Sequence, residues 1–215
     1  MEFSWDRYHN VTKRLSSVIG VWPYQNKKEK VFRLSVTILA AIAMIIPQTC
    51  KFYHCDKDLE CIFGTIPSYI LVIGIMLKLH TCSWKANKIK TLTDHMFSDW
   101  ERLQDPQEYE IMETYVASAR RIIVIYIWLC LPSMTIFVLV SLIPRILDIV
   151  LPLNESRPIV LPFEAYYFVD EREYFFYIFF QGAIIADIAI MGLIVHDAMF
   201  MTFVEHVCGV FAVAG

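Results

Sequence analysis

The sequence is poor in charged residues, glycine and proline. Only 19% of its 215 residues are charged, and it contains 7 Gly and 9 Pro, whereas a typical soluble domain is about 25% charged. This scarcity excludes collagen-like repeats and low-complexity linkers, which are polar or rich in Gly and Pro. The net charge of −3 provides no overall basic field, so we expect no nucleic-acid partner.

The sequence also lacks the short motifs of common enzymes and metal sites. It contains no G-x-S-x-G, no H-E-x-x-H and no glycine-rich phosphate loop, which are patterns that carry catalytic or phosphate-binding groups. We therefore expect no enzymatic activity, no cofactor and no metal site.

Cysteine is too scarce for a disulfide scaffold, since six Cys are scattered over the chain without C-x-x-C spacing. The simplest interpretation is that all six are small apolar side chains. The alternative is one bridge within the trio of Cys50, Cys55 and Cys61, if that segment faces an oxidising compartment.

Hydrophobic residues make up 57% of the chain and are gathered into long runs bounded by charge. A helix needs about 20 apolar residues to cross the hydrocarbon of a membrane. The runs predict an all-α membrane protein with four transmembrane helices, over about 32–50, 61–80, 122–144 and 174–204.

The positions of Lys and Arg predict the orientation of these spans. Residues 1–33 and 78–121 each hold seven Lys or Arg, whereas the other two connections together hold five. Because basic residues remain in the cytosol, we expect a cytosolic N-terminus, a cytosolic helical extension over 81–121 and an outer loop over 145–173. The sequon at Asn154 lies in that outer loop, so Asn154 is the predicted glycosylation site.

The first 31 residues are predicted to form a cytosolic segment with an amphipathic helix. An apolar stripe recurs every three or four residues in this segment, at Trp5, Tyr8, Val11, Leu15 and Val18. This spacing predicts a helix lying along the inner headgroups of the bilayer.

The fourth run contains the most distinctive residues. Asp187 lies past the midplane of the predicted span, where a carboxylate must face protein or water; it is either a structural partner of another helix or a group for ligand binding or gating. His196, Asp197, Glu205 and His206 follow near the inner interface, where we expect them to be solvated. Ten Phe and Tyr lie between Phe163 and Phe180, and they form either an interfacial belt or the lining of an apolar ligand pocket.

The chain resembles the N-terminal half of an insect odorant receptor, with the look of hymenopteran members such as those of ants. The likeness is carried by Gly20-Val21-Trp22-Pro23, by Leu161-Pro162-Phe163 with Tyr167 and Asp170, by Tyr174 to Gln181, and by Asp197, His206, Cys208 and Gly209.

This resemblance implies a seven-helix bundle that joins a shared co-receptor subunit to form an odorant-gated cation channel, in the cell membrane of olfactory sensory neurons. It implies a small volatile organic ligand, a lipid bilayer around the chain, and a pore helix in the three spans that this sequence lacks. The implied ligand positions are Tyr69, Ile73, Phe137, Ser141, Phe179 and Ala183.

Two alternatives remain open. One is a gustatory receptor of the same superfamily, and the other is a four-span membrane scaffold that is not a channel. A scaffold of the tetraspanin type would need paired cysteines in its large outer loop, and residues 145–173 contain none.

The predicted orientation can be tested by glycosylation. In translation with microsomes, we expect a glycosidase-sensitive shift in mass that Asn154→Gln abolishes and Asn10→Gln leaves unchanged. A shift that depends on Asn10 would contradict a cytosolic N-terminus.

Overall fold

The computed structural model describes residues 5–56, 58–153 and 157–215, and only the backbone of residues 5–9. Every regular element within these ranges is a helix. In chain order they are α1 (Trp5–Ile19), α2 (Lys27–His54), α3 (Leu59–Trp84), α4 (Ala86–Arg102), α5 (Pro106–Val140), α6 (Ile143–Val150) and α7 (Phe175–Ala214).

Four of the helices, α2, α3, α5 and α7, are long and apolar enough to cross a membrane. This confirms the prediction of an all-α membrane protein with four apolar helices. Pro47, Pro67 and Pro132 lie inside three of these helices without ending them, as is common for proline within membrane helices.

The helices extend beyond the predicted spans at most of their ends. Residues 106–121 form one continuous helix with the third predicted span, because α5 begins at Pro106 and reaches Val140. It stops four residues short of the predicted end, where Ser141 and Leu142 donate their N–H groups to the carbonyls of Val138 and Leu139. These tighter turns lead into α6, which has Pro144 in its first turn, a position that suits proline.

The described chain divides into two compact units. The first unit comprises Met1–Val36, Leu77–Leu129 and Met191–Gly215, and the second comprises Thr37–Met76 and Cys130–Ile190. The long helices α2, α3, α5 and α7 each contribute a segment to both units.

In the first unit, α1 packs through a face that carries small polar residues. Thr12, Ser16 and Ile19 are buried, and the Thr12 hydroxyl lies 3.0 Å from that of Thr202 on α7. Val18, a member of the predicted apolar stripe, is exposed, while the side chains of Trp5 and Tyr8 lie outside the described part of the chain. The exposed side of α1 therefore includes part of the stripe that we expect to contact headgroups.

The connection between α2 and α3 in the second unit contains a disulfide bond between Cys55 and Cys61. The expectation that all six cysteines are unpaired is therefore wrong for these two, and the alternative of one bridge within the trio is correct. Cys50, the third member, is a free thiol. Asn154, the predicted glycosylation site, lies outside the described residues.

Gly20 ends α1 in a conformation that favours glycine. Its φ is +84°, and a Cβ at this position would lie 2.7 Å from the backbone oxygen of Lys30. The N–H groups of Gly20 and Val21 both bond to the carbonyl of Ser16, at 3.1 and 2.9 Å. The residue therefore both caps α1 and allows the close approach of α2.

We expect Gly20→Ala to lower the free energy of unfolding by about 2 kcal/mol, because it adds a backbone clash to an unfavourable φ. Gly74→Ala is the matched control, since Gly74 lies within α3 and a Cβ there meets nothing within 4 Å. Thermal unfolding of both variants in detergent, followed by circular dichroism, measures the difference. Equal stability of the two variants would contradict this account of Gly20.

Candidate functional site

The apolar core of the second unit is the principal candidate for a ligand site. Aromatic and aliphatic side chains from α2, α3, α5, α7 and the segment before α7 meet there; the buried members are Ala41, Met44, Val72, Val138, Phe163, Phe175, Phe179, Ile185 and Ala186. On α7 the buried positions recur every three or four residues, so one face of that helix lines the core. The Phe175 and Phe179 rings stack there, with centroids 6.2 Å apart.

Phe163 reaches this core from a loop rather than from a helix. Its side chain is 6% exposed, its ring lies 5.7 Å from that of Phe137, and a Cβ on Gly182 would lie 3.7 Å from it. The Phe163 ring therefore lies directly against α7 at Gly182. A ring held by a loop can leave the core with less rearrangement than one held by a helix.

The segment that carries Phe163 is attached to the end of α2. The Tyr166 N–H donates to the Pro47 carbonyl at 2.9 Å, and the Tyr166 ring stacks on the His54 ring with centroids 3.9 Å apart. Burial, together with the nearby carboxylate of Glu171, raises the pKa of Tyr167 to about 12. Tyr167 is therefore neutral at physiological pH and adds no negative charge to its segment.

A basic group lies beside the same aromatic cluster. The guanidinium of Arg145 sits 5.0 Å from the centroid of the Phe175 ring and donates to the carbonyl of Arg172 at 3.0 Å. Arg157 forms an ion pair with Asp148 at 2.8 Å. These contacts join α6 to the segment that follows it and to the start of α7, by charge and cation–π attraction.

Gln48 supplies one buried polar group near this core. It follows Met44 by four residues, so the two side chains lie on the same face of α2. Gln48 is 0% exposed and its amide nitrogen donates to the Ser68 hydroxyl at 2.7 Å.

The amide orientation of Gln48 is set by the next hydrogen bond. The Ser68 hydroxyl donates its single proton to the Thr65 carbonyl at 3.1 Å, so Ser68 can only accept from Gln48. The Gln48 Oε1 atom is left buried without a donor among the described residues. An unpaired buried acceptor costs about 1–3 kcal/mol, which a ligand hydroxyl would recover in part.

The six positions assigned to ligand binding fall into different environments within the second unit. Phe179 belongs to the core and Ala183 packs against it. Ser141 is buried, but its hydroxyl already donates to the Val138 carbonyl at 2.8 Å. Phe137 is 52% exposed while its ring touches that of Phe163.

The two α3 positions lie apart from that core. The Tyr69 hydroxyl accepts from Thr49 at 3.4 Å, and its ring meets Phe52 edge-on at 5.2 Å, while Ile73 is exposed. The structure thus brings Phe137, Phe179 and Ala183 together, and the ligand-binding role of all six stays a prediction.

Asp197 is the centre of a polar cluster in the first unit. Its carboxylate lies 2.7 Å from the Lys78 ammonium, 3.0 Å from His196 Nδ1, and accepts from the Tyr126 hydroxyl at 3.1 Å. Lys78, Tyr126 and Asp197 come from α3, α5 and α7, so three apolar helices are joined by one charged group. The expectation that Asp197 is merely solvated is therefore incomplete.

His206 departs further from the expectation of solvation, because its side chain is 4% exposed. Its Nε2 lies 3.0 Å from the Asp99 carboxylate of α4. The expectation was wrong because α7 continues to Ala214 and packs against the first unit there, whereas the hydropathy of the sequence places the end of the span near residue 204.

Two small cavities lie in the first unit, with volumes of about 20 and 10 Å³. Thr12 and Thr202 line both of them. The larger has room for one water molecule, so neither holds an organic ligand, and none of the six predicted ligand positions lines them.

Gln48 and Lys78 are the residues of interest that sequence reasoning did not single out. Gln48 was visible as a polar interruption in an apolar run, which is a signal for a buried partner within a membrane. Lys78 was counted only among the basic residues that predict the orientation of the spans. Comparison of the chain with models of protein families, with curated proteins and with solved structures finds no match.

The unmet acceptor of Gln48 has a measurable consequence for stability. Gln48→Met keeps the length of the side chain and removes both the unmet acceptor and the hydrogen bond to Ser68. Because an unmet buried acceptor costs about 1–3 kcal/mol and a typical hydrogen bond contributes about 0.5–1.5 kcal/mol, we expect the free energy of unfolding to rise by about 1 kcal/mol. Gln48→Glu should lower it, since a carboxylate would then be buried. Thermal unfolding in detergent measures the change. A loss of more than about 1.5 kcal/mol in Gln48→Met would exceed the contribution of the Ser68 hydrogen bond and would mean that Oε1 has a stabilising partner.

Proposed function

We propose that this chain is a receptor subunit of the insect odorant-receptor type, which detects small volatile molecules and joins a shared co-receptor in an odorant-gated cation channel. The observation that carries the proposal is the aromatic core of the second unit together with Gln48 Oε1, a buried acceptor near it that has no donor among the described residues. Such a site has the composition of a pocket for a small, largely apolar molecule.

The orientation of the chain is part of this proposal, with the N-terminus in the cytosol and the α2–α3 connection outside. The count of basic residues supports it, since residues 1–33 and 78–121 hold most of them. The Cys55–Cys61 disulfide supports it independently, because it lies in a connection assigned to the outside. Disulfides persist in oxidising compartments and are rare in the cytosol.

The chemistry of the core favours an alcohol or another hydroxyl-bearing volatile. Burial of about 200 Å² of apolar surface supplies about 5 kcal/mol, and a hydrogen bond to Gln48 Oε1 adds about 1 kcal/mol. Affinity would come mainly from shape and apolar area, and the hydroxyl would set the orientation. Because the core is closely packed, a ligand enters by displacing a side chain, and Phe163 is the one held by a loop.

A binding experiment on the purified chain in lipid nanodiscs tests this site. We expect 1-heptanol to raise the midpoint of thermal unfolding, and to do so more than heptane at equal free concentration, because only the alcohol donates to Gln48 Oε1. In Gln48→Met the advantage of the alcohol should disappear while the effect of heptane remains.

Gln107→Met is the matched control, because Gln107 is exposed near the start of α5 in the first unit, and this variant should keep the preference for the alcohol. Absence of any shift with either compound, or the same preference in Gln48→Met, would contradict the proposed ligand site.

A further inference from the structure

Basic residues are concentrated where α1 ends and α2 begins, in the first unit. Residues 13–33 contain six Lys or Arg and one acidic residue, Glu29. Arg14 on α1 and Lys27 and Lys28 at the start of α2 are exposed. We call these three cations the basic junction.

Contacts within the chain hold the two helix ends of the basic junction together. The Ser17 carbonyl lies three residues after Arg14, on the same side of α1, and it accepts from the Arg33 guanidinium of α2 at 2.9 Å. The Asn26 side chain accepts from the N–H of Lys28 at 3.2 Å, which fixes the first turn of α2 in the manner of an N-cap. The exposed cations therefore project from backbone that is held in place.

The exposed side of α2 sets the depth of the basic junction in the membrane. Lys28, Phe32 and Leu39 lie four and seven residues apart, so they share one side of the helix, and Phe32 and Leu39 are 70% and 64% exposed. Phe32 begins the apolar run of this span, and Lys28 precedes it by one turn, or about 6 Å. Because the headgroup layer on each side of the hydrocarbon is about 5–7 Å thick, Lys28 lies at the depth of the lipid phosphates.

The charge of the basic junction indicates which headgroup it suits. Phosphatidylcholine carries no net charge, and phosphatidylserine carries a single negative charge. Clustered Lys and Arg directly beside a spanning helix are typical of sites for phosphatidylserine and phosphoinositides. A headgroup with several phosphates can form charge-assisted hydrogen bonds to more than one of the three cations at once, so a phosphoinositide matches the junction better than phosphatidylserine does.

We propose that the basic junction binds a phosphoinositide of the surrounding membrane, with the headgroup phosphates on its three cations and the acyl chains beside Phe32. The presence of this lipid at the site rests on the proposed orientation, which places the junction at the cytosolic leaflet, where anionic lipids lie. The site uses only the headgroup end of α2, so it is independent of what packs against the rest of that helix.

Binding of a fluorescent short-chain phosphatidylinositol bisphosphate to the whole chain in detergent micelles, followed by anisotropy, tests the site. We expect the double variant Lys27→Gln/Lys28→Gln to bind about twentyfold more weakly, since each cation near an anionic headgroup contributes about fivefold. Lys27→Arg/Lys28→Arg keeps both charges and should bind like the wild type. Micelles impose no orientation, so a failure here is distinct from a failure of the proposed orientation, which the glycosylation experiment tests.

Three single substitutions separate a local effect from misfolding. Glu29→Gln should tighten binding about threefold, because it removes the one acidic residue near the junction, and a misfolded variant would not gain affinity. Arg14→Gln should weaken binding about fivefold. Arg102→Gln is the matched control, since it removes an exposed arginine at the end of α4, and it should leave binding unchanged.

Three results would overturn the proposal. The first is unchanged affinity in Lys27→Gln/Lys28→Gln. The second is equal affinity for short-chain phosphatidylserine, which would mean that a headgroup with several phosphates is not required. The third is equally strong competition by soluble inositol trisphosphate, which has no acyl chains and would identify a soluble anion rather than a lipid as the ligand.

Discussion

Polar groups lose free energy when they leave water for hydrocarbon without a partner, and the arrangement of this chain follows from that constraint. Backbone groups satisfy it by forming helices, which is why four long helices account for the apolar runs. Most charged side chains satisfy it by lying at the ends of those runs. The few polar side chains that lie inside the helices then require individual explanations, and they mark the places where the chain does more than span a membrane.

The helices themselves were predictable because hydropathy over about 20 residues is a strong and local signal. Their ends were less predictable. Helix α5 stops at Val140 because the chain makes two tight turns before Pro144. Helix α7 continues past the predicted end because His206 and its neighbours pack within the first unit. Such packing depends on residues distant in sequence, for example His206 and Asp99, which no local pattern joins.

The candidate ligand site was predictable in composition but not in geometry. The aromatic stretch from Phe163 to Phe180 contains Phe163, Phe175 and Phe179, and all three are buried in one core. The sequence could not indicate that Phe163 enters that core from a loop, or that Gln48 Oε1 has no donor among the residues that the structure describes. The second fact depends on where Ser68 sends its single hydroxyl proton, which is a property of the folded α3.

Three polar residues of the apolar helices differ in how their hydrogen-bonding groups are paired. The Asp197 carboxylate bonds to Lys78, Tyr126 and His196 of the same chain, so it stabilises the first unit and needs no outside partner. Gln48 is fully buried, and its Oε1 atom has no donor among the described residues, so the ligand that we propose for this core is a small molecule with a donor. Asp187 has no hydrogen-bond or ion-pair partner among the described residues and is exposed on α7, so nothing in the described part of the chain satisfies it. The three residues therefore differ in burial and in hydrogen bonding, although each interrupts an apolar helix.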